Sequence, residues 1–242
     1  MAIQRTLPST KNADSTSSIV SPSRTGAYLE SYVIPLGSKQ QVFADEGSYF
    51  CTYNVTHGTG IAGHAAPVAA DLSLKPLLHI FNSNTTKTLT LDFVKIRATA
   101  IGANATTTDF EAWIDQAGVT CKTSGGTVAT SVNCRSDNPN TAGAVVSFGA
   151  VVATAHATER MIDHQRVRSV ITVVEDQYHF SFGNPGYAMP AAMALTGSAV
   201  VSAFVHMQPC VIMPGGNFKL VQWAASQSGA HSFEYSVGWI ER

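Results

Sequence analysis

The chain has 242 residues, 45% of them hydrophobic and only 13% charged, with 15 basic side chains against 16 acidic ones and a net charge of −1. A charged fraction about half the usual ~25% suits a β-sandwich with small-residue turns, or a subunit whose surface neighbours cover. The lack of a basic excess argues against nucleic-acid binding, and no apolar run is long enough to span a membrane.

Residues 1–26 are polar and small, with Pro8 and Pro22 and no sustained period, and are expected to form a flexible N-terminal arm. The remainder, 27–242, is expected to be one domain. AYLESYVIPLG alternates briefly and stops at Pro35 and Gly37, and GSYFCTYNVT has the aromatic and β-branched content of a strand. Residues 57–76 form a long excursion, HGTGIAGHAAPVAADLSLKP, with the look of an interface loop. PLLHIFN is a short strand, and TLTLDFVKIRATAIG a long half-buried one in which Leu89, Leu91 and Phe93 alternate with Thr90, Asp92 and Val94.

TTTDFEAWIDQAG fits two patterns. Thr108 and Glu111 would make a helical capping box. Phe110, Ala112 and Ile114 alternate with Glu111, Trp113 and Asp115, which suits a strand. The strand is preferred because so short a helix is marginal without packing. VTCKTSGGTVATSVNC carries Gly125-Gly126 between two β-branched runs, a hairpin signal. AVVSFGAVVATAHA and TERMIDHQRVRSVITVV are two further strands. EDQYHFSFG follows, with Tyr178, Phe180 and Phe182 on one face, then a second long loop at 184–197. Strands within AVVSAFVHMQ, NFKLVQWAA and AHSFEYSVGWIER close the chain. Eight to eleven strands with hardly a helix predict an all-β, jelly-roll-like antiparallel sandwich.

No catalytic set is expected. The eight histidines contain no H-x-H; His57 and His64, which bracket a Gly-rich stretch, are the best pair but do not specify a metal. There is no G-x-S-x-G and no phosphate loop. Trp113, opposite Phe110 in the alternation, is the best exposed aromatic. Candidate interface residues are therefore Trp113, His57, His64, Tyr187 and Met189. Cys121 and Cys134 flank the Gly-Gly turn signal and form a candidate disulfide; Cys51 and Cys210 sit in apolar patterns and are expected to be buried thiols. The N-terminal residues lack the apolar core of a secretory leader, so cytoplasmic synthesis is expected.

The polar arm, the strand TLTLDFVKIRATAIG, the stretch TSGGTVATSVNC, the pair AVVSFGAVVATA and RVRSVITVVEDQYHFSFG, and the ending MPGGNFKLVQWAASQSGAHSFEYSVGWIER together resemble tailed-bacteriophage virion structural proteins with jelly-roll-like domains. The resemblance covers most of residues 40–242 and is one of style, without a diagnostic motif. It implies a non-enzymatic capsid decoration (cement) subunit, a homotrimer bound to the major capsid protein or other virion proteins, with no cofactor. The alternative is the receptor- or glycan-binding head of a tail spike or fibre.

Overall fold

The computed structural model describes residues 24–25, 31–32, 39–54, 56–65, 73–103, 107–168, 173–183, 200–224 and 227–242. The chain divides into two units, Met1–Val42 and Phe43–Arg242. In the first, β1 (Arg24–Thr25) pairs antiparallel with β2 (Ser31–Tyr32). Residues 1–23 of the expected arm lie outside the described residues.

A short helix, α1 (Lys39–Asp45), precedes the sandwich. Its last turn closes by hydrogen bonds from Gly47 N to Ala44 O (2.9 Å) and from Ser48 N to Phe43 O (2.9 Å), the paired pattern of a Schellman cap. Phe43 is buried with Tyr49 and Ile240, and the Arg242 guanidinium lies 4.0 Å from its ring centroid.

The strands follow in order: β3 (Tyr49–Tyr53), β4 (Ile61–Ala62), β5 (Leu78–Asn82), β6 (Leu89–Ala100), β7 (Thr108–Asp115), β8 (Lys122–Ala129), β9 (Ser131–Asn133), β10 (Ala144–Ala153), β11 (Arg160–Arg168), β12 (Gln177–Phe182), β13 (Ser202–Met207), β14 (Val211–Ile212), β15 (Asn217–Trp223) and β16 (Ser232–Glu241). Eight of them carry the architecture. One sheet runs β3-β16-β6-β12 and the other β5-β15-β7-β11, antiparallel throughout. Counted along the chain, these are strands 1-8-3-6 and 2-7-4-5, the double Greek key of a jelly roll. The expected all-β sandwich is thus the observed fold.

The remaining strands are additions. The segment between β7 and β11 extends the first sheet with β9, beside β3, and the second with β10 and β8, beyond β5. Strand β13 adds to β12 in parallel, β14 pairs with β6, and β4 with β16. Ile61 and Ala62, within the expected interface loop at 57–76, are therefore stitched into a sheet.

The core lies between the sheets because the alternating apolar positions of each point at the other. Phe110 meets Phe180 edge-on at 4.9 Å, Phe148 stacks on Tyr235 at 4.7 Å, and Phe182 meets Phe218 edge-on at 5.5 Å. Burying one such ring in place of exposing it is worth about 2–3 kcal/mol.

Two sequence readings need correction. The alternation in β6 changes phase: Leu89 and Leu91 are buried, then Val94 and Ile96, with Phe93 on the outer face. A bulge causes this. Leu91 pairs with Trp239 and Phe93 with Gly238, which leaves Asp92 as the extra residue. A Cβ at Gly238 would lie 2.4 Å from Phe93 Cε1, so only glycine lets that ring cross the strand. Second, Gly125 and Gly126 do not turn a hairpin. They sit inside β8 with φ of 68° and 64°, where the register with β10 shifts between Phe148 and Val151. The glycines lie on an edge strand opposite a bulge in β10, where Gly149 and Ala150 face the single residue Gly126.

Candidate ligand-binding groove

The outer face of the β3-β16-β6-β12 sheet carries a groove of about 360 Å³, lined by Tyr53, Asn54, His57, Lys95, Arg97, Gln177, Glu234, Tyr235 and Ser236. Period-2 geometry puts most of them there: Lys95 and Arg97 alternate with buried Val94, Ile96 and Ala98, and Glu234 and Ser236 with buried Phe233, Tyr235 and Val237.

One wall is a turn held by Asn54. Its Oδ1 accepts from Tyr235 N (3.0 Å), and its Nδ2 donates to Thr59 O (3.2 Å). The turn presents His57 parallel to Tyr53, with ring centroids 6.3 Å apart and planes at 10°. Tyr53 is half-exposed, so this stacked pair presents an aromatic surface at the groove edge.

The floor is ionic. Arg97 donates from Nε to Glu234 Oε2 at 3.0 Å, and again from Nη2; its Nη1 donates to Glu175 Oε2 at 3.1 Å. The hydrogen bond to Glu234 leads in raising the guanidinium pKa further, so Arg97 is a permanent cation. Glu234 Oε1 accepts from Gly58 N, which ties the floor to the His57 turn. Among the described residues no carboxylate pairs with Lys95. The arrangement offers an aromatic surface beside charged and amide groups, an arrangement for binding a polar ring.

A second polar region covers the outer face of the other sheet. Lys219, in the middle of β15, has no solvent exposure. Its Nζ lies 2.8 Å from Glu159 Oε2 and donates to Ser73 O at 2.7 Å. His79 Nε2 is 3.0 Å from Asn217 Oδ1, which also accepts from Cys121 N at 3.0 Å. Burial lowers the His79 pKa to about 4 and raises that of Cys121 to about 11, so the first is a neutral base and the second a protonated thiol. Asp115 accepts from Thr158 Oγ1 and contacts His156 Nδ1, which ties the inserted segment to β7.

The expected site residues separate. His57 belongs to the groove. His64 points its Nε2 at Val151 O (2.7 Å), and desolvation leads in lowering its pKa. Trp113 lies half-buried on the outer face of the other sheet and donates to Glu111 Oε2 at 2.9 Å. Tyr187 and Met189 lie outside the described residues. The candidate Cys121–Cys134 disulfide is not formed: Cys121 is buried, and Cys134 is exposed with its Sγ 3.5 Å from Cys51 Sγ. The reason is the lost hairpin, since β8 runs on through the glycines and β9 joins the opposite sheet. Cys51 is half-buried rather than buried. Among the described residues no three His, Cys, Asp or Glu side chains gather where they could hold a metal. Arg97, Glu234 and Tyr53 gave no motif; only outward positions on two alternating strands marked the first two.

Compared with family models, curated proteins and solved structures, the chain has no significant match. Its fold defines a class by architecture: an eight-stranded jelly roll enlarged by an insertion between its fourth and fifth strands, with a groove on one outer face.

Proposed function

We propose that this chain is a non-enzymatic virion structural protein, a capsid decoration or cement subunit that works as a homotrimer through contacts with the major capsid protein. The carrying observation is an aromatic row on the outer face of one sheet. Phe93 on β6, His179 on β12 and Phe204 on β13 follow one another at 5.7 and 5.1 Å, and Phe204 is 44% exposed. Exposed Val211 and Met213 belong to the neighbouring segment after β13. Apolar groups arranged this way gain most by burial against another protein. The sequence resemblance and the low charge support the same reading. Sedimentation of the purified chain, with co-sedimentation on emptied phage heads, tests it. The expected result is a trimer that binds in high copy number, with both properties weakened by Phe204→Ser. A monomer at micromolar concentration that leaves heads bare overturns the proposal.

The groove favours a second reading, the glycan-binding head of a tail spike or fibre. Tyr53 and His57 would stack on the apolar face of a sugar ring while Arg97, Gln177 and Ser236 bind its hydroxyls. A glycan array separates the two readings: saccharide binding that is lost in Tyr53→Ala selects the head.

A further inference from the structure

We propose that Cys51 and Cys134 are a surface dithiol that a small-molecule disulfide, such as oxidised glutathione, converts to an intramolecular bond stapling β9 to β3. Cys51 faces outward from the middle of β3, and Cys134 directly follows β9. The pairing of β3 with β9 sets Phe50 opposite Asn133 and Cys51 opposite Val132, and Cys134 N donates to Tyr49 O at 3.0 Å. The two cysteines are thus diagonal neighbours on one face, and their sulfurs already touch at 3.5 Å. Bonding requires a further approach to ~2.0 Å, within reach of side-chain rotation at a sheet edge.

The segment carrying Cys134 is braced in place. Asn133 Nδ2 donates to Gly47 O at 2.9 Å, Arg135 N donates to Asn133 Oδ1 at 2.9 Å, and the Arg135 guanidinium binds Asp45 O and Asp137. Of the four cysteines, Cys121 and Cys210 are each 1% exposed, so an oxidant reaches only this pair. Burial, followed by the hydrogen bond and repulsion from the neighbouring sulfur, pushes the Cys134 thiol up to about 12; exchange is accordingly slower than at an ordinary thiol.

The exchange balances in two steps. The Cys134 thiolate attacks one sulfur of the reagent, whose S–S bond breaks and releases one thiol. The Cys51 thiolate then attacks Cys134 Sγ and expels the second. Two electrons pass to the reagent, and the two thiol protons end on its products. The inference does not depend on the proposed function; in a virion it would mean assembly in the reduced state and locking after release into an oxidising medium.

The full chain, reduced and then treated with oxidised glutathione, is alkylated without denaturation and mapped by mass spectrometry. A single Cys51–Cys134 cross-linked peptide is expected, with Cys121 and Cys210 alkylated only after unfolding. Cys51→Ser should stop the reaction at a glutathione adduct on Cys134, and Cys134→Ser should abolish the cross-link. Persistence of both free thiols under excess oxidant, or linkage of either to Cys121 or Cys210, overturns the inference. Because Cys134 is exposed, its serine variant folds even where the Cys51 variant does not.

Discussion

Replacing Glu159 by Gln removes the counter-charge of a lysine that has no contact with water. At 2.8 Å and an effective dielectric of about 20, the Lys219–Glu159 attraction is about 6 kcal/mol, most of it offsetting the cost of burying the two ions. Without the carboxylate, the ammonium keeps its hydrogen bond to Ser73 O but has a neutral amide where its counter-charge stood, and remains desolvated. Breaking one side of such a pair costs about 3–5 kcal/mol. In a chain of this size that lowers the melting temperature by roughly 10 °C. Lys219→Met should cost a similar amount, because it strands the buried carboxylate. The double variant Lys219→Met/Glu159→Leu should lie within about 1 kcal/mol of the parent, since apolar groups of similar volume restore the packing. With Glu159→Leu added as the matching single variant, urea unfolding followed by tryptophan fluorescence closes the cycle and gives a coupling energy of about 3 kcal/mol or more. A Glu159→Gln loss below about 1 kcal/mol, or a double variant that pays the sum of the two singles, would refute the reasoning.

Three further outcomes are expected. Glu241 is buried and accepts from Gly143 N, Ala144 N, Asn84 Nδ2 and Trp239 Nε1, all near 3.0 Å; Glu241→Ala strands these donors and should cost about 3–5 kcal/mol, measured as a shifted urea midpoint. Burial lowers His79 and His231 from an ordinary pKa near 6.5 to about 4, so the unfolded chain takes up protons that the folded one refuses. Stability should therefore be complete above pH 6.5, fall as pH drops from 6.5 to 4, and level off below, by on the order of 3 kcal/mol per histidine; a flat profile of urea midpoints across that window would exclude it. Oxidation of Cys51 and Cys134, which stand 83 positions apart, should stabilise the fold by up to about 4.5 kcal/mol in the chain-entropy picture, seen as a higher melting temperature reversed by reductant.

Most strands were legible because their burial follows local alternation. Phe110, Ala112 and Ile114 face inward and Glu111, Trp113 and Asp115 outward, as the pattern of β7 implies. Tyr178, Phe180 and Phe182 share the buried face of β12 in the same way. The phase of β6 beyond Leu91 was not legible, because the bulge at Asp92 depends on Gly238, well over a hundred positions away. The Gly-Gly pair in β8 misled for a related reason. Two glycines at positive φ suit a turn or a place opposite a bulge equally well, and the pairing with β10, which carries the extra residue, selects the second. Helix α1 went unread because its one well-buried apolar side chain, Phe43, is held by the far end of the chain at Ile240.

The amino-acid order alone determines that this is an all-β protein and which face of most strands is buried, since a period of two is a property of neighbours along the chain. The partners of each strand, the gathering of Tyr53, His57, Arg97 and Glu234 into one groove, and the meeting of Cys134 with Cys51 rather than Cys121 were decided only by the tertiary fold. These are contacts between distant segments. Their energy comes from sheet registry and core packing, which no local pattern encodes.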